Sequence, residues 1–269
     1  MALNKPTVLF LLNGGAVSIE PEVAHSGPAP LAIIEAFYPG PRGGEALARG
    51  IFGEHNAFGR MPYTIYPKNF SDAAAMVEHD LRAPPGRTYR YYRNPTFPAG
   101  FGLSLTSWAL AGAAPGCLAA LETGPSPRCL THPCAHDAHD AHDSPPPSAT
   151  CAVHLTVRNT GRFGGDAVVV AYFVRHDAAA TTPPGKLAPL RQLFDFQRLP
   201  AVPKGGTATV TFDVTADALA VYGADTGDLV ASAGGYTLMF DDGSGEMLEM
   251  QAAVVGSPYI VDPFPSEAP

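Results

Sequence analysis

Long apolar runs are missing from this sequence. No stretch approaches the roughly 18 residues that a membrane-spanning helix needs, so a membrane is not an expected partner. The opening run Val8–Leu12 is shorter than the core of an export leader and is interrupted by Asn13-Gly14-Gly15. The chain as given therefore shows no signal peptide, and that run reads as a buried strand. Charge is also scarce, at 16% of 269 residues, and the formal net charge is −8. There is no cluster of lysine or arginine to neutralise phosphates, so a nucleic acid is not an expected partner either. Cysteine is sparse and bunched. Cys117, Cys129, Cys134 and Cys151 all fall in one proline-rich stretch, unlike the even spread of a disulfide framework. If the protein is secreted, three pairings of the four are open.

Glycine and proline are plentiful, 28 of each. Heavy punctuation of this kind implies many turns, short strands and few long helices. Apolar residues make up 46% of the chain, enough for a genuine core.

The pattern divides the chain into three parts and a short tail. In residues 1–108, Thr7 to Val17 is nearly continuous apolar sequence, and Leu31 to Phe37 is a second such run closed by Tyr38-Pro39-Gly40. Runs of this kind suit strands buried on both faces. Gly43 to Phe52 follows, with Ala46, Leu47, Ile51 and Phe52 at helical spacing. Strand, turn, helix in that order predicts a parallel α/β layer. Two strands make no stable sheet alone, so this reads as the end of a larger one. Residues 109–150 are low in complexity, with Ala-His-Asp repeated through Asp143 and then Pro145-Pro146-Pro147. Such a segment buries too little apolar surface to offset its ordering entropy and is expected to be disordered. In residues 151–257, Val153, Leu155 and Val157 alternate with polar neighbours. Ala167–Val174 is apolar, Ala208, Val210, Phe212 and Val214 alternate, and so do Tyr236, Leu238 and Phe240. Short alternating strands separated by turns predict a β-sandwich. Residues 258–269 read as a tail.

Several motifs stand in order along the first part. Val8 to Val17 contains the Asn13-Gly14-Gly15-Ala16 turn. Ala36-Phe37-Tyr38-Pro39-Gly40-Pro41-Arg42-Gly43-Gly44 follows, then Phe52-Gly53-Glu54-His55-Asn56-Ala57-Phe58-Gly59-Arg60-Met61-Pro62. Gly86-Arg87-Thr88-Tyr89-Arg90-Tyr91-Tyr92 and Phe97-Pro98-Ala99-Gly100-Phe101-Gly102-Leu103-Ser104 complete the series. Their order and spacing resemble the C-terminal portion of family 3 glycoside hydrolases, of the β-xylosidase and α-arabinofuranosidase type. Ala16 stands where that pattern has proline, and Pro41 where it has glutamine. Asn159-Thr160-Gly161, Leu193-Phe194-Asp195-Phe196 and Gly235-Tyr236 resemble the fibronectin type III-like domain of the same family. The resemblance implies a fold of α/β plus all-β class: a remnant of the C-terminal α/β sandwich domain, then a fibronectin type III-like β-sandwich.

The same resemblance implies hydrolysis of O-glycosyl bonds in plant-type cell-wall glycans, without a cofactor, outside the cell. The polysaccharide or oligosaccharide partner would be held through an N-terminal half that these residues do not include. Retaining glycosidases use two carboxyl groups about 5–5.5 Å apart. The resemblance places the nucleophile in an N-terminal barrel and the acid/base upstream of Val8, so neither has a counterpart here. No catalytic residue is therefore expected, and the chain is expected to be inactive alone. The alternative is a non-catalytic carbohydrate-binding or structural module of the fibronectin type III-like kind.

Other residues carry side chains capable of chemistry. Ser71-Asp72 repeats the nucleophile's dipeptide but follows no apolar strand. Glu20, Glu22, Glu35 and Glu45 lie near strand ends or on the helix and read as solvated or capping carboxylates. Glu35, inside an apolar run, is the one to examine for a raised pKa. His136, His139 and His142 beside Cys134 carry metal-ligand chemistry, but in a tandem repeat without site spacing they read as a solvated linker, and no metal site is expected. Tyr89, Tyr91 and Tyr92 offer faces for sugars, though alternating tyrosines in a strand more often fill an interface. Gly59-Arg60 and Gly86-Arg87 read as turns and charge pairs. Asn69-Phe70-Ser71 is a glycosylation sequon at Asn69.

Overall fold

The computed structural model describes residues 5–24, 29–123, 150–179, 181–223, 225–245 and 247–265. Its first layer is small. Strand β1 (Thr7–Leu11) pairs in parallel with β2 (Leu31–Glu35), from Thr7 opposite Leu31 to Leu11 opposite Glu35. Between them lies one turn of helix, α1 (Glu20–Val23), and after them comes α2 (Gly43–Ile51). The first strand is shorter than its apolar run, because Asn13-Gly14-Gly15 turns the chain away. The expectation of strands buried on both faces needs correcting: no residue of β1 or β2 is fully buried, and Val8 is exposed. The apolar side of α2 is likewise bare, with Ile51 and Phe52 in solvent. Parallel strands are normally covered on both faces, and among the described residues nothing performs that covering.

The sandwich carries the main core. A three-stranded sheet has the order β3 (Trp108–Ala111), β5 (Cys151–Asn159), β8 (Thr207–Val214). Opposite it lie β4 (Leu121–Glu122), β12 (Met247–Val255), β11 (Gly234–Asp241), β6 (Gly165–Arg175) and β7 (Gln192–Val202), in that order. Period-two patterning makes this possible. Val153, Leu155 and Val157 of β5 face Val169, Ala171 and Phe173 of β6, with Phe212, Tyr236, Leu238 and Phe240 filling between. All are essentially inaccessible to solvent. A small sheet of β9 (Val221–Tyr222), β10 (Leu229–Ala231) and β13 (Tyr259–Asp262) closes one end.

Two boundaries differ from expectation. Residues 109–123 are ordered rather than part of a disordered linker. Trp108–Ala111 pairs with Thr156–Asn159, and Leu121 and Glu122 pair with Val254 and Val255. Leu110, Leu118 and Leu121 supply the apolar contacts, few but all turned to one core. Residues 124–149, with the His-Asp repeat, Cys129 and Cys134, lie outside the described residues. The expected tail also contains a strand, β13, paired with β10.

Cys117 and Cys151 form a disulfide, with Cα atoms 5.6 Å apart. It joins the turn before β4, where Cys117 is exposed, to the start of β5, where Cys151 is buried in the core cluster. The bunching of cysteines therefore conceals a bridge between parts of the sandwich.

The segment between the layers is largely irregular, with two helical turns, α3 (Phe70–Ala73) and α4 (Thr88–Tyr91). It lies over the outer face of the five-stranded sheet, where Val168, Val170, Tyr172 and Met239 form a second apolar cluster capped by Tyr89.

Candidate functional site

Ligands of parallel α/β sheets sit beyond the carboxyl ends of the strands. Here both strands end level, Leu11 beside Glu35. Two turns leave from that end and meet. The Glu35 carboxylate accepts from Asn13 Nδ2 at 3.3 Å and from the Phe37 backbone N–H at 3.2 Å. Tyr63 stands edge-on to Phe37, ring centroids 5.6 Å apart. Its hydroxyl lies beside Glu35 without closing a well-formed hydrogen bond. Burial raises the Tyr63 pKa, and the Glu35 carboxylate raises it further. Asn13 Oδ1 is buried with no hydrogen-bond partner among the described residues.

The backbone at this end is strained. Phe37 has φ +52°, a left-handed value that bulky side chains avoid. The strain turns the chain so that the following Tyr38 stands out into solvent, 77% exposed. Glycine is needed close by: a Cβ on Gly14 would touch the Tyr38 ring at 3.1 Å, and one on Gly43 would strike Pro39 at 2.4 Å. The result is a polar corner, called a recess below, that groups one carboxylate, an amide, a phenol and a projecting ring. It is equipped to hold hydroxyl groups. A displacement that needs two carboxyl groups finds one of them here among the described residues.

The other candidate carboxylates lie elsewhere. Glu20 accepts from the Lys68 N–H at 2.9 Å, and Glu45 is paired with Arg42 and Arg49 on the exposed face of α2. Glu22 sits in the single turn of α1. Asp72 is in the first turn of α3, so Ser71-Asp72 ends no strand.

The remaining motifs build a joint between the layers. Buried Asn56 donates to the Gly164 carbonyl at 3.1 Å and accepts from Ser104 Oγ and Leu105 N, each at 3.0 Å. Buried Asn159 donates to the carbonyls of Phe163 (2.8 Å) and Val202 (3.2 Å), and accepts from Thr106 Oγ1 (2.6 Å) and Gly161 N (3.1 Å). Arg60 reaches the Gly102 carbonyl at 3.0 Å and that of Asp242. Burial lowers the Arg60 pKa, while Asp242 and Asp241 act the other way. The pairing expected for Gly59-Arg60 is thus made chiefly to backbone carbonyls. Arg87 likewise donates to the Ala75 carbonyl, after a turn in which Gly86 has φ +86°.

The tyrosines are on a helical turn rather than a strand, because Gly86 and Thr88 (φ +60°) both take left-handed backbone. Tyr89 packs on Tyr172 and accepts from Leu193 N at 3.1 Å. Tyr92 packs on Tyr66 and Phe70. Tyr91 lines a cavity. Asn69 lies exposed just before α3. Reasoning from sequence missed Asn13, Tyr63 and the strain at Phe37. Only the turn Asn13-Gly14-Gly15 hinted at the first.

Comparison with known proteins gives two domain matches. Residues 1–105 match the glycosyl hydrolase family 3 C-terminal domain, and residues 168–244 match the fibronectin type III-like domain. A probable exo-1,4-β-xylosidase, bxlB, of Aspergillus fumigatus is 32% identical over 270 residues, covering 98% of this chain and 32% of that protein. β-D-xylosidase 1 of Arabidopsis thaliana is 34% identical over 221 residues, covering 78% of this chain and 27% of that one. The chain thus spans about a third of the length of the curated relatives it matches. Among solved structures, a family 3 exo-β-xylosidase (XlnD) bound to a xylobiose aziridine probe superposes with TM-score 0.75. It is 24% identical and covers 98% of this chain and 33% of its own. A β-glucosidase from Erythrobacter marinus has TM-score 0.64 at 26% identity, covering 93% of this chain and 28% of its own. These structures share the fold.

Proposed function

Because this chain belongs to glycoside hydrolase family 3, as a C-terminal α/β domain followed by a fibronectin type III-like domain, we propose that it is the C-terminal part of a glycosidase. The enzyme would act on β-xylosides or α-arabinosides and have no hydrolytic activity in this part alone. The observation that carries the reading is the recess at the ends of β1 and β2. It offers one carboxylate, Glu35, already engaged by Asn13 and the Phe37 N–H. Retaining hydrolysis requires a second carboxyl group about 5–5.5 Å away. In this reading the recess is one wall of a substrate site, and Glu35, Tyr63 and Tyr38 face whatever completes it.

Action on extracellular glycans is part of the same proposal. The Cys117–Cys151 disulfide suits an oxidising compartment, and Asn69 of the sequon is accessible to a glycosyltransferase. No helix among the described residues is long and apolar enough to cross a membrane.

The test is release of 4-nitrophenol from its β-xyloside and α-arabinofuranoside by the purified 269-residue chain. No release above background is expected, and clear turnover would overturn the proposal of inactivity. The coding sequence directly upstream tests the other half. A barrel with a strand ending in Ser-Asp is expected there, and an unrelated open frame would count against the assignment.

A further inference from the structure

A second recess lies on the joint itself. It has a volume of about 220 Å³ and is bounded by α4, the end of β6, Ala178, residues 181–189, the start of β7 and β9. Its walls are firmly tied. Leu187 N donates to the Arg82 carbonyl at 3.0 Å and Leu190 N to the Arg90 carbonyl at 2.6 Å. Pockets for small molecules concentrate where domains meet, and those for drug-sized ligands run about 300–1,000 Å³. This one, at about 220 Å³, is below that range and of a size for one small ring at most.

Three arginines line it, and two are already neutralised. Arg82 holds Asp80 at 3.0 Å, and Lys186 holds the other oxygen of Asp80, also at 3.0 Å. Arg175 holds Asp177 at 2.6 Å. Arg90 has no carboxylate partner among the described residues. Its guanidinium stands over the Tyr89 ring, 5.9 Å from the centroid, and Nε reaches the Tyr89 hydroxyl at 3.5 Å; among the described residues the two terminal nitrogens have no hydrogen-bond partner. Four cations (Arg82, Arg90, Arg175, Lys186) stand here against Asp80, Asp177 and the more distant Asp225. One positive charge is left over, in a chain whose net charge is −8.

The neutral groups point the same way. The Gln192 amide and the Tyr91 hydroxyl have no hydrogen-bond partner among the described residues, and both line the recess. Thr182, also on the lining, donates its hydroxyl proton to the Ala178 carbonyl at 2.6 Å, so any further bond that Oγ1 makes is as an acceptor. At the rim stands the Tyr222 ring, 62% exposed. An aromatic face beside unpaired donors and acceptors suits a pyranose, whose C–H face packs on rings and whose edge carries hydroxyls.

We propose that this recess binds one carboxylate-bearing sugar residue, a uronic acid, free or as part of a glycan. The Arg90 fork holds the carboxylate in bidentate fashion, Gln192 and Tyr91 take ring hydroxyls, and Tyr222 supports the ring. A single unpaired guanidinium matches a planar monoanion. A dianionic phosphate would call for more than the one cation of this recess that has no carboxylate partner among the described residues.

The experiment is calorimetric titration of the full chain with D-glucuronate, D-glucose and inorganic phosphate, at low and high salt. Saturable glucuronate binding in the millimolar range or tighter is expected, with glucose at least tenfold weaker and added salt weakening only the glucuronate. R90Q should lose at least tenfold toward glucuronate with little change toward glucose, R90K should recover part of the loss, and Y222A should weaken both sugars a few-fold. Thermal melts of the variants that match the parent would tie these changes to the site. Equal affinity for glucose and glucuronate, no saturation by glucuronate, tighter binding of phosphate, or R90Q binding like the parent would each overturn the assignment. The readout is binding by this chain, so it is independent of any hydrolytic test.

Discussion

At the scale of single residues, the stability of the joint rests on a few buried polar groups. Asn159 serves four partners with one side chain. Asn159→Ala would leave the Val202 carbonyl and its neighbours without a partner in a dry site, at a cost of about 3 kcal/mol or more. Equilibrium urea unfolding should show this as a lower midpoint. Asp241 makes a different prediction. Burial raises its pKa even with Arg191 and Arg60 nearby. The folded protein therefore binds a proton more readily at this group than the unfolded chain does. Stability from that difference is full below the ordinary aspartate range and is lost as pH rises through the folded pKa. Asp241→Asn keeps an oxygen to accept from the Gly243 N–H and removes the loss. It should melt above the parent at pH 7, and the gap should narrow by about pH 4. Tyr172, pushed up to about 12 by burial, stays neutral throughout that range. Asn69→Gln should abolish an endoglycosidase-sensitive mass increment in chain secreted from a eukaryotic host; retention of the increment would remove the sequon from the proposal.

At the scale of elements, alternation made the sandwich strands legible. Val153-x-Leu155-x-Val157 and Val210-x-Phe212-x-Val214 each put one face in the core, as their spacing demands. Other elements escaped for physical reasons. β3 and β4 are short, lie in alanine- and glycine-rich sequence, and gain their order from partners in distant strands. β7 is interrupted by Pro200 and by two register shifts against β6, as suits an edge strand. The residues that line the candidate recess were legible only as a turn and a resemblance. The strain at Phe37 and the approach of Tyr63 arise from contacts that no local pattern encodes. The disulfide bears on the same scale. It closes a loop of 34 residues between elements of the core, a constraint worth about 3–4 kcal/mol in the chain-entropy account. Reduction should lower the melting temperature by roughly 10 °C.

At the scale of the whole molecule, stability is uneven. The sandwich has a continuous core, whereas β1, β2 and α2 bury no large side chain fully. Amides of residues 7–11 and 31–35 should exchange with deuterium far faster than those of 153–157 and 236–240. Comparable protection would mean that the small layer is stable as it stands. The open strand edges also favour association, so the isolated chain should show concentration-dependent light scattering that the sandwich portion does not cause.

The Cys117–Cys151 bridge also decides what a protease can do to this chain. Residues 124–149, which contain Arg128, lie wholly within the span it closes. A cut after Arg128 would break the backbone and leave both pieces tied to each other. Under non-reducing electrophoresis the nicked chain would run as one band near 28.1 kDa, and only thiol would split it. The nicked molecule is two sequences with one covalent fastening, and that fastening answers to redox state rather than to the continuity of the chain.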